Sequence, residues 1–170
     1  WHSTEAKSAE QALRSGDVEA LINTWENDSY SHYRQEKSVW NLYLLAQLPR
    51  EMALTCWLRI NEKKHLFAGE DYFLSILGLD TLPGLLLAFS HHPKETFPLI
   101  LNFGATELAL PVARVWRRFA AQRDLARQWI LQWPEHTATA LIPLVFTKPS
   151  DNSEAALLAL RLLYEQGHGE

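Results

Sequence analysis

Three observations predict that this 170-residue chain folds as an all-α stack of helical hairpins. Apolar residues recur along it at helical spacing between punctuating Gly, Pro, Asp and Ser residues. Pro98-Leu99-Ile100-Leu101 is echoed 45 residues later by Pro143-Leu144-Val145-Phe146, and Val112, Val115 and Phe119 are then matched by Leu157, Leu160 and Tyr164. The most strand-like segment, 141–146, carries Pro143 at its centre, where proline would delete a ladder hydrogen bond. Periods of about 40–47 residues belong to HEAT and armadillo repeats, whose hairpins cannot bury their apolar faces alone. The expected architecture is a HEAT/armadillo-like α-α superhelix, with residues 1–170 forming one helical-repeat domain.

The elements follow in order. Residues 4–14 and 17–27 form a first hairpin: Gly16 stops one helix and Asp17 caps the next, whose apolar positions are Val18, Leu21, Ile22 and Trp25. Residues 28–33 are polar and aperiodic, a loop. From about Gln35 a stripe of Val39/Trp40, Tyr43/Leu44 and Leu48 predicts a helix, and Pro49 opens the next, which carries Met52, Trp57 and Leu58 and ends at 61–64. Residues 70–78 form a short helix closed by Gly78, and 80–83 start another that runs to His91-His92-Pro93. Further helices cover 94–103, 105–121, 123–133, 135–147 and 152–166, the last capped by Asp151 or Asn152 and stopped by Gly167. Pro98, Pro111 and Pro143 then fall inside helices, a structural use that packing on neighbours offsets.

Composition bounds the function. A 47% hydrophobic, 21% charged chain has the make-up of a compact domain, and a net charge of −4 gives no overall pull toward nucleic acid. Cys56 is the only cysteine, which excludes an intramolecular disulfide and a multi-cysteine zinc site. No uninterrupted apolar run reaches the roughly 18 residues of a membrane span, so the chain is expected to be cytoplasmic with no membrane partner. Trp1 at the start and the cut-like end at 167–170 suggest a fragment of a larger protein.

The strongest local anomaly is basic. Arg114, Arg117, Arg118, Arg123 and Arg127 are balanced only by Asp124, and Arg114/Arg118 and Arg123/Arg127 each share a helix face. Such a surface suits phosphates, with Trp116 or Trp129 available for stacking; the competing structural reading pairs the arginines with acids on adjacent helices. Glu5, Glu10, Asp17, Glu19, Glu26 and Asp28 give the first hairpin an acidic surface.

His91-His92 lacks the ligand spacing of a metal site and reads as a helix end. Cys56, within an apolar stripe, reads as a small buried hydrophobe, and Glu70-Asp71 as helix-start acids. Residues 147–153 have a polar make-up that suits an oxyanion, but Asp151 would repel one, which leaves helix capping as their role. Six tryptophans, at 25, 40, 57, 116, 129 and 133, fall mostly on apolar stripes; Trp133, before Pro134, is the first candidate for an exposed binding anchor. No catalytic residue, cofactor site or metal site emerges.

Residues 125–136, Leu-Ala-Arg-Gln-Trp-Ile-Leu-Gln-Trp-Pro-Glu-His, with 140–144 and 155–163 behind them, resemble a HEAT-like segment of the bacterial molybdate metabolism regulator family. That resemblance covers roughly 123–168. It implies a segment of a large regulatory protein, often one with a Trp-Gly-Arg domain, and it supplies no catalytic residues. No Trp-Gly-Arg tripeptide occurs in this chain. The expected function is a non-catalytic interaction scaffold that binds a protein partner or other domains of the same parent chain. The alternative is a nucleic-acid-binding helical repeat that uses the Arg114–Arg127 region.

Overall fold

Punctuating residues set the helix boundaries in the computed structural model, which describes residues 11–23, 39–62 and 66–168. The fold is all-α. The chain groups into two compact units dividing between Leu87 and Ala88, where the sequence predicts one domain, because each run makes its contacts mostly within itself.

In the first unit, helix α1 occupies 11–15 of the described residues and α2 occupies 18–23. Gly16 lies at φ 70°, a left-handed conformation that stops α1 at little cost. Asp17 then accepts the Ala20 amide at 3.0 Å, the predicted N-cap. Trp25 and the expected 28–33 loop lie outside the described residues.

The helix expected from Gln35 is replaced in part by a strand. β1 (Val39–Asn41) pairs in parallel with β2 (Leu66–Ala68), and only a four-residue helix, α3 (Leu42–Leu45), follows it. Val-Trp and Leu-Phe favour extended backbone, and this local preference outweighs the weak helical stripe. Helices α4 (Arg50–Glu62) and α5 (Glu70–Leu77) and the 3₁₀ turn η1 (Gly78–Thr81) follow, and α6 (Leu82–His91) carries the chain across the boundary at Leu87.

Trp57 and Phe73 organise the core of this unit, their ring centroids 5.4 Å apart and both side chains buried with Cys56, Ile60, Leu74 and Leu77. The Trp57 indole N–H donates to the Thr81 carbonyl at 2.9 Å, so η1 is tied to α4. Gly84 is needed beside that indole: a Cβ there would fall 2.3 Å from Nε1.

The second unit contains α7 (Pro93–Ile100), α8 (Thr106–Arg118), the 3₁₀ turn η2 (Ala120–Gln122), α9 (Arg123–Gln132), α10 (Pro134–Val145) and α11 (Asp151–Glu165). Helix α8 ends at Arg118, short of the predicted 121, because Phe119 turns extended. Helix α8 packs against α9, α10 and α11, and α10 packs against α11. Pro98, Pro111 and Pro143 all lie inside helices as predicted.

The element order recurs, but in a different register from the Pro98/Pro143 echo. Helices α6 and α9 are both ten residues long, each preceded by a 3₁₀ turn and followed by a one-residue break and a Pro-started helix. The break residues His92 and Trp133 share one conformation, φ −133°, ψ 60° and φ −124°, ψ 58°. Four residues on, Thr96 and Thr137 donate their hydroxyls to the His92 and Trp133 carbonyls at 2.7 and 2.9 Å. Buried positions match at this 41-residue offset: Leu85 with Ala126, Ala88 with Trp129, Phe89 with Ile130 and Ile100 with Leu141.

Helix α10 has 12 residues against 8 in α7, so the third helices come into phase later. Leu108, Ala109, Val112 and Val115 of α8 match Ala155, Ala156, Ala159 and Leu162 of α11, 47 residues on, and all eight are buried. The 45-residue register instead pairs buried Val112 with Leu157, which is 55% exposed. A two-residue slip turns a helix by about 200°, which is why an apolar echo on paper reverses the faces in space.

Candidate interaction surface

All five arginines of the basic cluster have partners within the second unit. Arg114 donates from Nε and Nη2 to Asn152 Oδ1 at 2.9 and 2.6 Å. Arg117 bridges Asp151 and Glu154, and Arg118 takes the other oxygen of Asp151. Arg123 donates to the Trp116 carbonyl at 3.3 Å, and Arg127 to Gln166 Oε1 at 3.1 Å. Arg114, Arg117 and Arg118 thus clamp the start of α11 and Arg127 reaches the residue after its end; of the five, Arg117 and Arg118 pair with acids on an adjacent helix, the pairing that the structural reading expected.

Local sequence builds the receiving end of the clamp. Ser150, not Asp151 or Asn152, caps α11: its hydroxyl accepts the Ser153 amide at 3.2 Å, and the Ser150 amide donates to Ser153 Oγ at 2.8 Å. This reciprocal box leaves Asp151 and Asn152 free to point their side chains at α8. Carboxylates in the first turn of α11 and guanidiniums in the last turn of α8 each complement a helix dipole, and each complements the other. The Arg118 hydrogen bond, with the positive charges of Arg118 and Arg117, holds the Asp151 carboxyl below its ordinary range against the opposing effect of desolvation.

Trp133 is not an exposed anchor. Its N–H donates to the Leu101 carbonyl at 3.2 Å, its ring meets His136 edge-on at 5.7 Å, and it stands against Gly104. Trp129 is fully buried, its N–H bonded to the Phe103 carbonyl at 2.9 Å, so it offers no stacking face. The two indoles instead fasten the 101–104 turn, a role that their spacing of four on one helix face could have signalled.

The other candidates do not assemble into a reaction centre. Cys56 is buried, and burial, with Glu19 adding to it, pushes its thiol up to about 11. Glu19 itself pairs with Arg59 at 3.0 Å. His91 and His92 stand with ring centroids 6.4 Å apart, and among the described residues no group of three His, Cys, Asp or Glu side chains has metal-binding geometry. Glu70 and Asp71 occupy the first turn of α5.

A groove of about 200 Å³ opens in the first unit between α4 and the start of α6, lined by Glu51, Leu54, Thr55, Leu58, Asp80 and Pro83 among others. Its one hydroxyl, Thr55, donates to the Glu51 carbonyl at 2.8 Å, and Asp80 is paired with Arg50. The 22-residue stretch Glu70–His91 is long enough for a membrane span and contains an 18-residue window with a mean hydropathy of 1.7. In the fold it is α5, η1 and α6, broken by Gly78 at φ 59° and carrying Asp80.

Exposed apolar side chains supply a surface that the sequence did not single out. On α11, Leu157, Leu158 and Tyr164 are 55%, 40% and 74% exposed; Ile142 on α10 and Phe146 just beyond it are also exposed. The 45-residue echo matches Leu157 with buried Val112 and so gives no sign of this exposure.

No protein-family model matches the chain. No solved structure matches it either. Over all 170 residues it is 92% identical to a protein of Escherichia coli strain K12 named "Uncharacterized protein YehI", and it spans 14% of that relative's length.

Proposed function

We propose that the chain is a HEAT/armadillo-like segment of a non-catalytic interaction scaffold within a larger regulatory protein, of the kind that the resemblance to molybdate metabolism regulators implies. The observation that carries this reading is the recurrence of a 3₁₀ turn and three helices with matched break geometry and matched buried positions. Units of this type stack to bury a continuous core and leave extended surfaces for partners. The 14% share of a longer relative fits a segment whose partners include other parts of the same polypeptide.

The arginine clamp favours this reading over nucleic-acid binding. A phosphate-tracking surface needs guanidiniums that can leave their partners, whereas Arg114, Arg117 and Arg118 are committed to Asn152, Asp151 and Glu154. Titrating the chain with labelled duplex DNA at ~50 and ~200 mM salt separates the two. The scaffold reading expects no salt-sensitive binding; steep salt dependence that flattens in the Arg114→Ala/Arg118→Ala variant would overturn it.

A further inference from the structure

Helix α8 shows what covers the outer face of a third helix in this repeat. Leu110, Pro111, Arg114 and Arg117 on α8 are half-buried, and the last two carry the contacts to α11. Their counterparts on α11, 47 residues on, are Leu157, Leu158, Arg161 and Tyr164, and all four are exposed. Leucine thus occupies the same place in both copies, at 110 and 157, and differs only in its cover. Arg114 spans to Asn152 in the first turn of the following third helix; among the described residues Arg161, 73% exposed, pairs along its own helix, with Glu165 at 2.9 Å.

The same face is therefore covered in one copy and open in the next. Three large apolar side chains are exposed on this helix, and Ile142 and Phe146 are exposed on the adjoining α10 and just beyond its end, a density of apolar exposure that marks interaction surfaces in soluble proteins. Stacked repeats bury this face against the following unit, and a polar outer face marks a terminal cap. The outer face of α11 is apolar, so it has the character of an internal repeat.

We propose that the α10–α11 face centred on Leu157, Leu158 and Tyr164 is the docking site for a following helical repeat of the same, longer polypeptide, with Arg161 reaching the first turn of that repeat's third helix as Arg114 reaches Asn152. The occupant is argued from the α8 face, which a following unit covers, and from the length of the relative, of which this chain spans 14%. This proposal rests on the helical-repeat reading above.

Cysteine labelling tests it. Leu157→Cys and its counterpart Leu110→Cys are made in the 170-residue chain and at the corresponding positions of the full-length E. coli relative, and maleimide labelling is read site by site by mass spectrometry. The proposal expects site 157 to label quickly in the chain and at least about tenfold more slowly in the full-length protein, with no change on dilution. Equal rates at 157 in the two proteins overturn it, and so does protection that dilution removes, since a second copy would then be the occupant. Site 110 should label slowly in both. If it labels as fast as 157 in the chain, the stacked-repeat reading itself fails, and the proposal fails with it.

Discussion

Trp133 stands so close to Gly104 that a Cβ at position 104 would fall 2.4 Å from ring carbon Cε3. The indole cannot simply swing aside, because its N–H is bonded to the Leu101 carbonyl at 3.2 Å. Gly104→Ala should therefore destabilise the chain by about 1–3 kcal/mol, the usual cost of overpacking, as measured by urea unfolding. An unchanged midpoint would show that the 101–104 turn adapts freely.

Trp129→Phe keeps most of the buried ring but removes the donor to the Phe103 carbonyl. A buried acceptor left without its partner costs about 1–3 kcal/mol, and full truncation to Ala about 3–5 kcal/mol. The expected order of unfolding midpoints is wild type, then Trp129→Phe, then Trp129→Ala.

Much of the second unit was legible because its signals are local. Pro93 and Pro134 sit at helix starts, helix dipoles attract Asp151 and Glu154, and the helices of 93–165 fall close to their predicted bounds. Register was not legible. Pro98-Leu99-Ile100-Leu101 and Pro143-Leu144-Val145-Phe146 match in hydrophobicity, yet Leu99 and Ile100 are buried while their echoes Leu144 and Val145 are half-buried, because α7 and α10 start at Pro93 and Pro134 and the echo is out of phase with them. The parallel pairing of 39–41 with 66–68 is a long-range contact that no periodicity within either segment can report.

The clamp was half legible. Five arginines in 14 residues are visible in the sequence, as are Asp151 and Glu154, but not that a chain reversal brings α11 alongside α8. The sequence predicted Trp133 as the anchor because a tryptophan before a proline at a helix end looks exposed. The 101–104 turn that covers it lies about 30 residues away.

Acid should loosen the clamp. The Asp151 carboxyl is held below its ordinary value, so the folded state favours the carboxylate. That contribution is fully present above the unfolded-state value of about 3.9 and is lost as pH falls through the lower folded-state value. Asp151→Asn should lower the Tm at pH 7, and the gap to wild type should shrink as pH falls below about 4. A gap independent of pH would mean that the carboxylate charge contributes nothing.

Cys56 should resist alkylation. Its thiol is buried and raised to about 11, so at pH 8 little reactive thiolate is available in the native state. Iodoacetamide should modify it slowly under native conditions and rapidly in denaturant. Fast native labelling would contradict the buried placement on α4.

The matched register of α8 and α11 is the central claim, and one comparison of thermal unfolding tests it. Val112 is buried on α8; the 47-residue register pairs it with buried Ala159, and the 45-residue register with exposed Leu157. Melting Ala159→Asp beside Leu157→Asp should give a large loss of Tm, or no folded state, for the first and a near-wild-type Tm for the second. The reverse order would place Leu157 in the core and contradict the repeat as described.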